Sequence, residues 1–191
     1  MQTAMPRVRR WTYDEFAKLA DLDFFRGRRV ELIGGRIIEL APQRDVHAAA
    51  LVLALDALRP CYGHGFVIRP RLPLRRGKGS GPEPDLAVVA GSARDYVGTG
   101  HPSTALLALE ISDSTLRYDR RTKGGLYAKY GIQDYWFVNL VDRMLEVYSQ
   151  PVPDRTHAFR HRFDSFTSYT PGQSVAAPGI ASQVQVSDLF P

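Results

Sequence analysis

The sequence predicts an α/β fold built on a mixed β-sheet, and three observations carry that expectation. Two short runs, residues 85–89 (DLAVV) and 105–111 (ALLALEI), are apolar apart from Asp85 opening the first and Glu110 near the end of the second. That is the pattern of central strands covered on both faces. An early pair of half-apolar segments flanks Gly34-Gly35, a dipeptide suited to a tight primed turn. Between the second apolar run and the strand-like residues 135–139, Leu126, Tyr127 and Tyr130 repeat at helical spacing.

Taken in order, Thr12 with Glu15 forms a capping box that opens a short helix to Ala20. Residues 28–33 and 36–41 form the hairpin. A helix follows over residues 45–58, then strands near 65–68 and 71–74, then the two central strands. Asp119 is a plausible N-cap for the helix bearing Leu126 and Tyr127, and Gly131 a C-terminal cap. Residues 135–139 and 144–148 read as a strand pair, and the alternation in 158–163 and 165–169 predicts two paired edge strands. The chain reads as a single domain over residues 1–191, with a core of about 12–150 and C-terminal strands in 151–191.

At 191 residues, 44% hydrophobic and 24% charged, this is the composition of a soluble globular protein. The apolar helix at residues 48–58 carries Asp56 and is far too short to span a bilayer, so no membrane association is expected. Residues 1–16 contain no apolar stretch of the secretory kind, which points to a cytoplasmic location. The single cysteine, Cys61, agrees with that and excludes a thiolate metal site.

The net charge of +5 favours a polyanionic partner. Arg75, Arg76 and Lys78 lie in a Gly-rich stretch just ahead of Asp85, and Arg120 and Arg121 immediately precede Lys123. Either group could contact phosphates, or form a solvated face.

A carboxylate at the end of a doubly covered strand must be paired, protonated or metal-bound. If the two central strands are neighbours, Asp85 and Glu110 meet. Glu110 and Ser112, two apart, share a strand face, with the Ile111 carbonyl between them. Two carboxylates and a backbone carbonyl are hard oxygen donors that suit Mg²⁺ or Mn²⁺ rather than zinc. Lys123 precedes Leu126 and Tyr127 by three and four residues, so it shares their helix face and points at the sheet. Only four of the 25 basic residues are lysines, so abundance does not explain its presence there. Together these groups read as a metal-dependent phosphodiesterase site.

These residues also resemble a family. ELIGGRIIEL, EPDLAVV and the stretch from ALEIS to MLEVY are similar, in this order along nearly the whole chain, to the Uma-type branch of the PD-(D/E)XK restriction endonuclease superfamily. Pro84-Asp85 and Glu110 match its signature. Ser112 stands where the superfamily usually carries lysine, and the resemblance assigns that role to Lys123 on the following helix. It further implies that Glu31 in the hairpin is a site residue and that His47 is accessory, although His47 also lies on an apolar helix face with Leu51, Ala54, Leu55 and Leu58. The implied protein has a restriction endonuclease-like fold and is an Mg²⁺-dependent endonuclease acting on DNA as a homodimer. A rival reading is a non-catalytic nucleic-acid-binding or protein-interaction module that keeps the fold. Ser112, Asp113 and Ser114 read best as a cap on the turn after the strand.

Overall fold

The computed structural model describes residues 7–191; the opening residues 1–6, part of the segment considered for targeting signals, lie outside the described residues. Helix α1 (Tyr13–Asp21) starts at the Thr12/Glu15 capping box. The hairpin β1 (Arg29–Ile33) and β2 (Arg36–Leu40) turns at Gly34 and Gly35, whose φ values of 58° and 75° are those of a type I′ connection. Helix α2 (Asp45–Leu58) follows, then β3 (Phe66–Pro70), β4 (Leu86–Ala90) and β5 (Leu107–Ser112). A continuous helical rod comes next. It consists of α3 (Leu116–Tyr118), a π-helical turn over Asp119–Lys123, and α4 (Gly124–Lys129). The chain ends with β6 (Asp134–Asn139), β7 (Met144–Pro153), β8 (His161–Tyr169) and the small hairpin β9 (Ser174–Ala176) and β10 (Gln183–Gln185).

Strands β3 to β8 form one six-stranded sheet in sequence order. All its pairings are antiparallel except β5 with β6, which are parallel because the helical rod crosses between them. The sheet is covered on both faces. On one, Ala50, Ala54 and Leu58 of α2 and the C-terminal Val184, Leu189 and Phe190 pack on Leu86, Val88, Leu109 and Trp136. On the other, Leu126, Tyr127 and Tyr130 pack on Ala87, Ala108, Tyr135 and Phe137, with Ile33 of the first hairpin beside them. This explains why β4 and β5 are apolar on both sides, as the sequence predicts. Among the described residues, no helix is long and apolar enough to cross a membrane.

Four local expectations are corrected. Residues 71–74 are not a strand: Arg71 takes φ 49°, a left-handed conformation that breaks the ladder after Pro70. Residues 158–163 and 165–169 are not two paired strands. Residues 161–169 form the single strand β8, which pairs with an extended β7. Strand β4 begins one residue after Asp85. Asp119 is not an N-cap but lies inside the helical rod, where Thr115 Oγ1 donates to its carboxylate at 2.5 Å.

Candidate active site

The antiparallel pairing of β4 with β5 brings Asp85 and Glu110 together. Leu86 pairs with Leu109, so Asp85 sits at the height of Glu110, and the Ile111 backbone N–H donates to Asp85 Oδ2 at 2.9 Å. Residues 25 apart in sequence therefore become neighbours through strand register alone. Leu109 and Ile111 turn toward α2, leaving Ala108, Glu110 and Ser112 on the face under the helical rod.

The rod supplies Lys123. A π turn carries one extra residue per turn relative to an α-helix, and such turns are frequent at functional positions. Here it places Asp119 and Lys123, both buried, over the sheet while Leu126 and Tyr127 stay in the core. Lys123 Nζ donates to Glu110 Oε1 and Glu31 Oε1, each at 2.9 Å, and lies 2.8 Å from Glu31 Oε2. Tyr127 donates its phenol proton to Glu110 Oε1. Asp85, Glu110, Lys123 and Glu31 thus line one cavity, from four separate segments of the chain.

His47, in the first turn of α2, is buried and also belongs to the cavity, with Nε2 3.1 Å from Asp85 Oδ1. The Gln43 amide nitrogen lies 2.6 Å from His47 Nε2 and 3.4 Å from Asp85 Oδ1. Ser112 does what its turn reading suggests. Its Oγ accepts from Thr115 N at 3.2 Å and lies 3.0 Å from Thr115 Oγ1, outside the cavity lining.

Carboxylates outnumber cations here, and their protonation reflects it. Burial pushes the Glu110 carboxyl up to about 8, opposed by Lys123 and reinforced by Asp85, Asp119 and Glu31. Burial likewise pushes Glu83 up to about 7, with Glu31 adding to the rise. Burial would lower the Lys123 ammonium, but Glu110 and Glu31 hold it well above its ordinary value. One ammonium holds its own charge yet cannot neutralise several acids. Asp85 goes the other way: burial disfavours its charge, and His47, the Ile111 N–H and Lys123 outweigh that and lower its pKa.

The excess negative charge fits a hard divalent cation. Glu31 Oε2 lies against the Lys123 ammonium at 2.8 Å, while Tyr118 Oη in the same cavity is buried without a hydrogen-bond partner. Among the described residues, no three His, Cys, Asp or Glu side chains converge on one point. Asp85, Glu110 and the Ile111 carbonyl could offer a cation a small set of oxygen donors, which Mg²⁺ tolerates by keeping several waters.

The basic clusters divide. Arg75 pairs with Asp14 at 2.5 Å and covers the Tyr13 ring at 4.7 Å, while Arg76 donates to the Tyr130 carbonyl. Arg75 and Lys78, whose carbonyl accepts from Tyr13 N, hold α1 against the fold, Arg76 holds the end of α4, and none of the three lines the cavity. Arg120 forms a forked pair with the buried Glu146. Arg121 is exposed and lines, with Arg117, an open groove that shares Ser114, Thr115 and Tyr118 with the cavity wall.

Sequence reasoning did not single out Tyr127, Asp119, Glu83, Tyr118 or Arg71 as site residues. Tyr127 reads as core because its ring is core and only its hydroxyl reaches Glu110. Arg71, 3.7 Å from Asp85 Oδ1, is aimed there by its left-handed backbone, for which a sequence carries no signal at a non-glycine residue. Glu83 had a signal: it stands two residues before Asp85 on the same extended segment.

The fold is shared with a solved protein described as a "putative nuclease belonging to DUF820 from Anabaena variabilis", at TM-score 0.67 and 19% identity, covering 94% of this chain and 97% of that one. No curated protein matches the chain. The Uma2 family model, described as "Putative restriction endonuclease", matches residues 13–177, from α1 through the last strand of the main sheet and into the final hairpin. On that match, over a site already assembled by register and helix geometry, the chain belongs to the Uma2 family.

Proposed function

We propose that this protein is a divalent-cation-dependent nuclease that hydrolyses phosphodiester bonds in DNA. The observation that carries the reading is the convergence of Asp85, Glu110 and Lys123 in one buried, acid-rich cavity reached from a groove with exposed arginines.

Asp85, Glu110 and the Ile111 carbonyl would hold Mg²⁺ or Mn²⁺, which supplies polarisation of the phosphate and a lowered pKa for a bound water. The protein's own groups do the rest. The Ile111 N–H and His47 fix the Asp85 carboxylate as an anion, and Tyr127 and Lys123 fix Glu110. Lys123 carries the charge that faces a phosphoryl group entering the cavity and orients a water there. Glu31 anchors Lys123 through both carboxylate oxygens, Oε1 at 2.9 Å and Oε2 at 2.8 Å, and so holds the ammonium beside Glu110. Two such sites in a homodimer would cut both strands of a duplex.

Incubating the purified protein with plasmid and single-stranded DNA, in Mg²⁺, Mn²⁺ or chelator, tests this. Cleavage with cation and none with chelator is expected. Intact DNA under every condition would overturn it.

A second reading has its own observation: Lys123 already bridges Glu31 and Glu110, so the centre is charge-paired as it stands. A non-catalytic nucleic-acid-binding module would bind DNA in that plasmid experiment without cutting it.

The groove makes a separate expectation. Replacing Arg117 and Arg121 by alanine should weaken DNA binding and flatten the log–log salt dependence by about 1.8, the release of two counterions. Replacing Arg75 and Arg76, which are tied to α1 and Tyr130, should flatten it less. A binding titration over a range of salt reads both.

A further inference from the structure

Arg69 is a buried cation without an acid. It lies on β3, 7% exposed, and among the described residues it forms no salt bridge. Its surroundings are two rings: Nη2 is 3.1 Å from His101 Nδ1, and the guanidinium stands over Tyr96 at 5.0 Å. Its Nε is buried with no hydrogen-bond partner. The other sheet-proximal arginines differ. Arg120 has Glu146 and Arg71 has Asp85.

A guanidinium taken out of water is costly unless its donors are used, and only one of the five is committed here. Because a guanidinium can only donate, His101 Nδ1 must accept, which leaves the imidazole proton on Nε2 as a further donor. Arg69 and His101 share an open hollow with Tyr96 and with Gly98 and Gly100, whose φ values are +76° and +86° and beside which a Cβ would meet nothing within 4 Å. Backbone without side chains lets a ligand approach closely.

We propose that Arg69 and His101 form a phosphate-binding pocket separate from the carboxylate–lysine centre. A phosphoryl group matches it because its oxygens accept both edges of the guanidinium fork and the imidazole N–H together. Arg69 pairs with Ala87 and Ala87 with Ala108, two residues before Glu110. The pocket thus belongs to the sheet face that bears Glu110, two inter-strand spacings across and two residues along, or roughly 12 Å away. The phosphate belongs either to a small molecule or, resting on the proposed nuclease function, to the DNA backbone beside the scissile bond.

Titration of the full chain with inorganic phosphate at constant ionic strength, followed by ³¹P line width and by calorimetry, tests the pocket. Saturable binding is expected, weakened about tenfold or more by Arg69→Gln and several-fold by His101→Ala. Binding no stronger than that of chloride, or binding undiminished in the variants, would overturn the pocket and leave water as the partner of Nε. If Arg69→Gln does not fold, His101→Ala decides by itself. A DNA-binding titration in chelator then assigns the source. A weaker, less salt-dependent affinity in a variant that has lost phosphate binding identifies the DNA backbone, and unchanged DNA affinity identifies a small phosphate. The phosphate titration needs no cleavage, so an inactive protein would fail the nuclease reading without touching this one.

Discussion

Lys123→Met should abolish DNA cleavage, by at least about 10²-fold, and should also destabilise the protein by about 3–5 kcal/mol. The second effect follows from burial. Lys123 is 2% exposed, and its ammonium is the cation shared by Glu31 and Glu110, both buried. Methionine fills the stem but leaves two carboxylates in a low-dielectric cavity. Glu110, whose carboxyl burial already raises, takes up a proton more readily still once the Lys123 charge is gone, so the sign of the pH dependence is fixed. An acid whose folded pKa is raised binds a proton that the unfolded chain has released, and it therefore loses stability as pH rises. The deficit should be larger at pH 8 than at pH 5.5, measured by urea unfolding at both. Adding Glu31→Gln to the variant should recover stability without recovering cleavage. Lys129→Met, on the exposed side of the same helix, should behave as the parent. A Lys123 variant that is as stable and as active as the parent would remove this residue from the site.

Mn²⁺ or Mg²⁺ should raise the melting temperature by about 5–10 °C at a concentration near one hundred times its dissociation constant. The rise should be larger at pH 8 than at pH 6. Glu110 is raised to about 8 from its ordinary 4.5, so across that window the folded protein holds a proton which the unfolded chain does not. A cation bound to the same oxygens must displace that proton, which makes binding weaker in acid. Asp85 works the other way: its lowered pKa contributes stability that is present above its ordinary 3.8 and fades as pH falls below it. Asp85→Asn should remove the cation-dependent rise. Calorimetry that finds no divalent binding at millimolar concentration would sink the assignment of the metal ligands.

The centre of the sheet and the two carboxylates on it are legible in the residue order alone. The apolar runs that follow Asp85 and precede Glu110 leave a buried carboxylate at one end of each strand, and burial makes such groups legible because their cost demands an explanation. The capping box at Thr12, the Gly34-Gly35 turn and the helix at residues 45–58 were legible for a similar reason: each depends on local backbone chemistry within a few residues. Tertiary structure decided what depends on distant partners. That Arg75 pairs with Asp14 depends on where α1 lies, 61 residues away, and local charge density says nothing of it. Whether His47 packs or reaches Asp85 depends on how α2 lies across the central strands. The π turn at Asp119–Lys123 has the same helical periodicity in sequence as an ordinary turn, yet it sets the lysine between two acids. Residue type states what a side chain can do, whereas strand register and helix crossing fix which other groups it does it with.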